Sequence, residues 1–174
     1  MRKIIAYKAK QKKRSINQEF FEVIKDMYEH PAVQEMKKYN HHCDTDCLQH
    51  CLNVAYYNYQ ICKFLGLNAK AAARAAMVHD LFLYDWHKHA SETGDRFHAL
   101  THPKVALRNA KKYFKLTPLE QEIILNHMWP VTFYRSPKSW ESFITTCTDK
   151  VCGLCEFTTF YSYKVFPVRP FSQR

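Results

Sequence analysis

Four histidines and two aspartates are spaced along the chain so that each falls within, or at the end of, a predicted helix. Imidazole and carboxylate groups are costly to bury unless they are paired or bound to a metal. A mixture of nitrogen and oxygen ligands suits divalent ions such as iron, manganese, cobalt, nickel or zinc. The pattern therefore predicts a metal site whose candidate ligands are His50, His79, Asp80, His102, His127 and Asp149.

The adjacent pair His79-Asp80 restricts where such a site can lie. Neighbouring residues of a helix point about 100° apart, so both side chains reach one site only near a helix end or beside a cavity. An aspartate has two oxygens and can bridge two metals, which a histidine cannot. The pair therefore predicts a site at the end of a helix, with Asp80 as a candidate catalytic residue.

The elements that position these residues are predicted to be helices. Three glycines in 174 residues are few for sheets and tight hairpins, which usually need glycine in their turns. With 47% hydrophobic and 24% charged residues, the chain is typical of one globular domain. We expect an all-α, single-domain helical bundle over residues 15–163, flanked by a basic arm (1–14) and a tail (164–174).

Capping signals predict where the central helices begin and end. Asp44 is the predicted cap of the helix that carries His50, and Gly66 is its predicted stop. Asn68 is then predicted to cap an alanine-rich helix that continues to about Asp80. We expect this alanine-rich helix to be central, because small side chains allow close packing.

The second half of the chain combines a long predicted loop with three predicted helices. The polar stretch from Tyr84 to Thr101 is predicted to be a surface loop, and loops of that length tend to be functional. Pro103 is placed at the first position of the next helix. Further helices are predicted over residues 117–128 and 139–161.

The number of cysteines and the absence of long apolar runs predict the cellular compartment of the protein. Seven cysteines, an odd number, without a signal peptide argue against a disulfide framework. No apolar run approaches membrane-spanning length. We therefore expect a cytoplasmic protein that does not enter a membrane. The cysteines within helices are interpreted as small buried hydrophobic residues rather than metal ligands: Cys43, Cys47, Cys51, Cys152 and Cys155.

A formal net charge of +10 favours anionic partners, because excess positive charge raises the local concentration of anions. Arg96 and His98 are candidates to bind a substrate phosphate, since arginine binds phosphate through two hydrogen bonds. Lys104 is a third candidate, near a helix N-terminus. We expect a small phosphorylated, nucleotide-like substrate; nucleic acid fits the charge but is not favoured. Four histidines are interpreted as surface residues: His41, His42, His87 and His89.

The ordered ligand set resembles the HD-domain superfamily of metal-dependent phosphohydrolases. The resemblance covers about residues 50–149 and is strengthened by "HCLNVA" before an alanine-rich helix that ends in "VHDL". His102, directly before Pro103, and His127, in "ILNH", resemble the two-metal branch that includes the HD-GYP phosphodiesterases.

The resemblance implies two divalent ions per chain. The ligands of the first would be His50, His79, Asp80 and Asp149. Asp80 would bridge to a second ion held by His102 and His127. Two ions placed in this way hydrolyse a phosphate ester through a metal-activated hydroxide, here an ester of a nucleotide or a small phosphorylated metabolite.

The chain departs from the HD-GYP pattern in two respects. The GYP tripeptide is absent, and Leu83 occupies the position of a lysine, so specificity for cyclic-di-GMP is not implied. Asp85 is a candidate for proton transfer, with a capping or ion-pair role as its alternative. Two other functions stay open: a di-iron HD-type oxygenase with the same ligands, and a non-catalytic HD domain that binds a nucleotide and regulates.

Overall fold

The computed structural model describes residues 17–42, 45–85 and 98–165. Within these ranges the fold is almost entirely helical, which confirms the predicted all-α class. The predicted basic arm lies outside the described residues. In the described part of the chain, no helix combines the length and the apolar character needed to cross a lipid bilayer.

The described elements follow one another with short connections. A first helix, α1, covers residues 17–28. A short helix and a 3-10 turn precede a small β-ribbon, and three long helices and two of nine residues complete the order of the described elements. Their bounds are α2 Pro31–Gln34, the 3-10 turn Glu35–Lys38, β1 Asn40–His42, β2 Thr45–Asp46, α3 Cys47–Phe64, α4 Ala69–Met77, α5 His98–Tyr113, α6 Pro118–Asn126 and α7 Trp140–Val165.

Helices α3 and α4 form the centre of the molecule. Helix α3 packs against α4 and α7, and α4 also packs against α6 and α7. The alanines of α4 allow this close packing, and Ala72, Ala73, Ala75 and Ala76 are fully buried. Because α4 lies in the interior, the chain that leaves its C-terminal end starts among the other helices rather than at the surface.

Two of the three predicted capping residues act as expected. Asn68 accepts a hydrogen bond from the Ala71 amide at 3.0 Å and caps α4. Gly66 follows α3 in the left-handed region, with φ 71°, which an L side chain rarely adopts. The prediction for Asp44 was wrong: α3 begins at Cys47, and the Asp46 carboxylate accepts the capping bond from the Gln49 amide at 2.8 Å.

Three predicted helix ends were also wrong. Helix α4 ends at Met77 rather than Asp80, and α7 continues to Val165 rather than ending near residue 161. Helix α5 begins at His98, within the predicted 84–101 loop, so Pro103 lies inside it. Ala106 and Ala110, which lie four residues apart on one face of α5, are fully buried, so packing of this apolar face offsets the backbone hydrogen bond that the proline cannot donate.

The six cysteines of the described ranges are free thiols. Cys47, Cys51 and Cys152 are buried, in agreement with their interpretation as small hydrophobic residues. Cys155 is exposed, so that interpretation was wrong for this residue. Cys152 and Glu156 lie one turn apart on one face of α7, and Glu156 contacts α3 through His50. Cys155 lies at the exposed edge of this face.

Glu120 joins α6 to α4 and is expected to be important for stability. It is 3% exposed, accepts hydrogen bonds from the Thr117 amide and hydroxyl at 2.6 and 2.9 Å, and accepts one from Arg74 at 3.2 Å. Glu120→Ala removes a helix cap and one partner of a largely buried cation, whose side chain is 15% exposed, so we expect it to lower the free energy of unfolding by about 3 kcal/mol.

Urea denaturation measures this change. Glu35→Ala is the control, because Glu35 pairs with Lys38 at the surface and such pairs contribute about 0.5 kcal/mol or less. Equal losses in the two variants would show that the buried network adds nothing.

Candidate metal centre

The structure brings the six predicted ligands together from five helical segments. His50 lies on α3, His79 and Asp80 directly after α4, and His127 directly after α6. His102 lies on α5 and Asp149 on α7. The four histidines and Asp80 are each 5% exposed or less, and Asp149 has 13% of its side chain exposed. The cluster is therefore an interior site that no single helix could form.

One part of the cluster joins α3, α7 and the His79-Asp80 pair. The Nε2 atom of His50 lies 3.0 Å from Asp149 Oδ1. The Nε2 atom of His79 lies 3.5 Å from the same oxygen and 3.5 Å from Asp80 Oδ2. We call these four residues the first group.

The other part of the cluster uses the second oxygen of Asp80. The Nε2 atoms of His102 and His127 lie 2.9 Å apart, and they are 3.2 and 3.6 Å from Asp80 Oδ1. We call His102, His127 and Asp80 Oδ1 the second group. The carboxylate of Asp80 thus lies between two sets of donors, with one oxygen toward each.

The helix ends orient two of the imidazoles. The Nδ1 atom of His79 lies 2.7 Å from the Ala76 carbonyl, and that of His127 lies 2.8 Å from the Ile124 carbonyl. Carbonyls in the last turn of a helix lack helical partners, so they are available to accept from a ring N–H. Because Nδ1 donates to a carbonyl, the Nε2 atom of each ring is directed into the cluster, the orientation that metal-binding histidines require.

Glu156 orients a third imidazole and was missed by the sequence analysis. Its carboxylate lies 3.0 Å from His50 Nδ1 and accepts from Asn53 at 3.3 Å. Glu156 is seven residues, or two helical turns, after Asp149, so it lies on the same face of α7. That spacing was a readable signal in the sequence.

Glu156→Gln is expected to weaken binding of a metal at the first group. Carboxylates that accept from a ligating histidine fix its tautomer and raise its basicity, and their loss typically costs about 10–100-fold in metal affinity. Titration with a competing chelator measures the affinity. Glu141→Gln is the matched control, since Glu141 accepts from the Asn68 amide, away from the cluster. Equal affinities in both variants and the wild type would contradict this role of Glu156.

The distances within the cluster fit a metal ion. Donors about 2.1 Å from an ion are separated by about 3.0 Å at a right angle and about 3.4 Å at a tetrahedral angle. The contacting pairs of donor atoms within the two groups are 2.9 to 3.6 Å apart. In addition, the buried atoms His79 Nε2 and Asp80 Oδ1 face only other donor atoms of the cluster, at 3.2 to 3.6 Å, and neither makes a well-aligned hydrogen bond among the described residues. A divalent cation would satisfy both atoms.

The charges in the cluster are strongly coupled. Burial lowers the pKa of His127 to about 3, assisted by the nearby charges of His79 and His102. Burial alone would lower the pKa of His79, but the Asp80 carboxylate raises it well above the usual range. Burial would likewise raise the pKa of Asp80, yet His79 and hydrogen bonds from neighbouring histidines hold it well below. The cluster thus keeps Asp80 ionised and His127 neutral, the forms that bind metals.

The backbone that follows Asp80 is fixed by several contacts. The Cys47 thiol donates to the Asp80 carbonyl at 3.4 Å, and the Asn109 side chain donates to the Leu81 carbonyl at 2.9 Å. Leu83 then has φ 57°, a left-handed conformation that costs a non-glycine residue about 1–2 kcal/mol. These contacts hold the carboxylate of Asp80 in place despite the strained residue three positions later.

His41 was predicted to lie at the surface, and that prediction was wrong. It is 9% exposed, and its Nε2 atom lies 2.8 Å from Asp80 Oδ2. The β-ribbon turns the side chain inward, and a strand of three residues is too short for a periodicity to be read from the sequence. His87 and His89 lie outside the described residues, as does the side chain of His42.

The predicted substrate and proton-transfer residues remain predictions. Lys104 is exposed on α5, and Asp85 is half-buried at the end of the described segment after α4. Arg96 and the side-chain environment of His98 lie outside the described residues. Lys150 is not among the predicted site residues. Its amino group lies 3.8 Å from Asp149 Oδ2 and donates to the His127 carbonyl at 3.0 Å.

The fold and the cluster define an all-α protein with a buried histidine–aspartate centre of the kind that binds divalent metals. The family model of the HD domain matches residues 47–151, more than half of the 174 residues, and the chain belongs to this family. No curated protein and no solved structure matches the chain significantly. The matched segment contains all six predicted ligands and ends before Glu156.

Proposed function

We propose that the protein is a phosphohydrolase that uses two divalent ions, one at each group of donors. The observation that carries the proposal is the position of Asp80, whose two oxygens face different sets of imidazoles at 3.2 to 3.6 Å. HD domains are commonly metal-dependent phosphohydrolases, and a shared carboxylate is typical of sites with two ions.

In this proposal the first and second groups would each hold one ion. The Nδ1 contacts of His79 and His127 would keep the two rings aligned for binding. Bound divalent ions supply a water of lowered pKa and neutralise charge on a phosphoryl group. Lys150, with its cationic group beside Asp149, adds positive charge at the edge of the cluster.

The proposed substrate is a small phosphorylated, nucleotide-like metabolite. The net charge of +10 favours an anion, and the interior position of the cluster favours a phosphate group at the end of a small molecule over a phosphate within a duplex. Arg96, His98 and Lys104 are the proposed phosphate contacts, and Asp85 is the proposed proton-transfer residue.

Elemental analysis and a substrate screen test the proposal. Wild-type protein and His79→Ala are loaded separately with iron, manganese, cobalt, nickel and zinc, then assayed for phosphate release from p-nitrophenyl phosphate and nucleotides. We expect about two ions per chain and phosphate release with at least one metal. In His79→Ala we expect loss of the ion at the first group, to which His79 belongs, and of most of the phosphate release.

Two outcomes would overturn the proposal. Absence of bound metal and of phosphate release with every ion would exclude a metal-dependent hydrolase. Oxygen uptake by the iron-loaded protein without phosphate release would instead identify a di-iron oxygenase, which uses the same types of ligand.

A further inference from the structure

We propose that His41 is a further metal ligand of this centre, supplied by the β-ribbon on the side of Asp80 Oδ2. The inference rests on the proposed metal centre and extends its ligand set beyond the six residues that the sequence predicts. It assigns a binding role to a segment that lies before the family-matched residues 47–151.

The position of the His41 ring is that of a ligand. Its Nε2 atom lies 2.8 Å from Asp80 Oδ2, close to the separation of about 3.0 Å expected for two donors at a right angle on one ion. Donor atoms of His41, His50 and Asp80 lie within 4.8 Å of one another, as do those of His50, His79 and Asp149. The donor atom of His41 is therefore close to two of the predicted ligands, His50 and Asp80.

The ring is held in this position by stacking as well as by its hydrogen bond. The rings of His41 and His50 are nearly parallel, with an angle of 14° and centroids 3.7 Å apart. His50 is itself fixed by Glu156 and Asp149. Burial of an imidazole against a second imidazole and a carboxylate is costly when no ion is bound. A cation bound to all three groups would stabilise this arrangement.

The backbone places His41 there through a defined element. Asn40 pairs with Asp46 across the ribbon, and the Cys47 amide donates to the Tyr39 carbonyl at 2.9 Å. Strand β1 contacts both α3 and α7, the helices that carry His50 and Asp149. The ribbon is thus anchored on the helices of the first group, and His41 enters the cluster from the ribbon, beside Asp80 Oδ2.

Paramagnetic proton NMR of the cobalt-loaded protein tests the assignment directly. Each imidazole bound to high-spin cobalt shows its remaining ring N–H as an exchangeable resonance far outside the diamagnetic range. We expect His41→Asn to lose one such resonance and to bind cobalt at the first group about 10–100-fold more weakly. A role limited to packing would leave the number of shifted resonances unchanged in the saturated protein.

A second histidine provides the matched control. His30 caps α2 by accepting from the Ala32 amide at 3.2 Å, and its ring makes tilted and edge contacts with Tyr113 and Phe114, away from the cluster. His30→Asn keeps a capping side chain and is expected to retain every shifted resonance. His41→Phe retains a ring to stack on His50 without a donor nitrogen, so it separates loss of a ligand from loss of packing.

The outcomes distinguish this inference from the proposed function. Wild-type protein that binds no cobalt would refute the metal centre as a whole. Two bound ions in the wild type, with the same resonances and affinity in both His41 variants, would refute only the role of His41. Loss of one resonance in both His41 variants, with none lost in His30→Asn, would establish it as a ligand.

Discussion

Asp80→Asn is expected to remove both of the proposed ions and to lower the proposed phosphatase turnover at least about 1,000-fold, because in this proposal the ions would supply the nucleophile and stabilise the phosphoryl charge. The change conserves shape but leaves one neutral oxygen in place of two charged ones. Asp80 Oδ1 serves His102 and His127, and Asp80 Oδ2 serves His79. Loss of the charge therefore weakens both groups together.

Elemental analysis of the dialysed protein and steady-state kinetics measure this outcome. Asp46→Asn is the matched control, because asparagine caps a helix about as well as aspartate and Asp46 caps α3. Retention of two ions in Asp80→Asn would show that the carboxylate does not bridge. Loss of a single ion would place Asp80 in one group only.

His127→Ala is expected to release one ion and to retain the other. The Nε2 atom of His127 contacts His102 and Asp80 Oδ1, so its removal affects the second group. We expect a metal content near one per chain and a fall in turnover of about 100–1,000-fold, since a single ion cannot stabilise both the attacking and the leaving oxygen.

The complementary variant is His50→Ala, which removes a donor from the first group. If the two groups are separate, one ion remains in each single variant and none remains in the double variant. Complete loss of metal in His127→Ala alone would show that the two groups bind ions only together. Unchanged turnover with one ion would show that the second ion is not used in the reaction.

Much of the centre could be predicted because its ligands lie at positions that helices determine. The order of His50, His79-Asp80, His102, His127 and Asp149 along the chain was sufficient to expect one cluster, and the structure brings them within 3.6 Å of a neighbour. A helical pattern extends over many residues, so it determines which face of each helix is buried.

His41 and Asp46 could not be placed in the same way. Both belong to a ribbon whose strands have three and two residues, too few for an alternating pattern to show which side chains point inward. The capping residue of α3 is therefore Asp46 in the ribbon rather than the predicted Asp44. The start of α5 was predicted wrongly for a different reason. Proline is common at the first position of a helix, whereas Pro103 lies inside α5.

The stacking of His41 on His50 and the contact between His50 and Glu156 also bear on the stability of the folded protein. Together these contacts join parts of the chain that are 115 residues apart, from position 41 to position 156. An ion bound among them acts as a reversible cross-link, because an unfolded chain cannot bring the same donors together. The supply of metal in the surroundings would then determine not only how fast the protein works but also how long each molecule survives proteolysis.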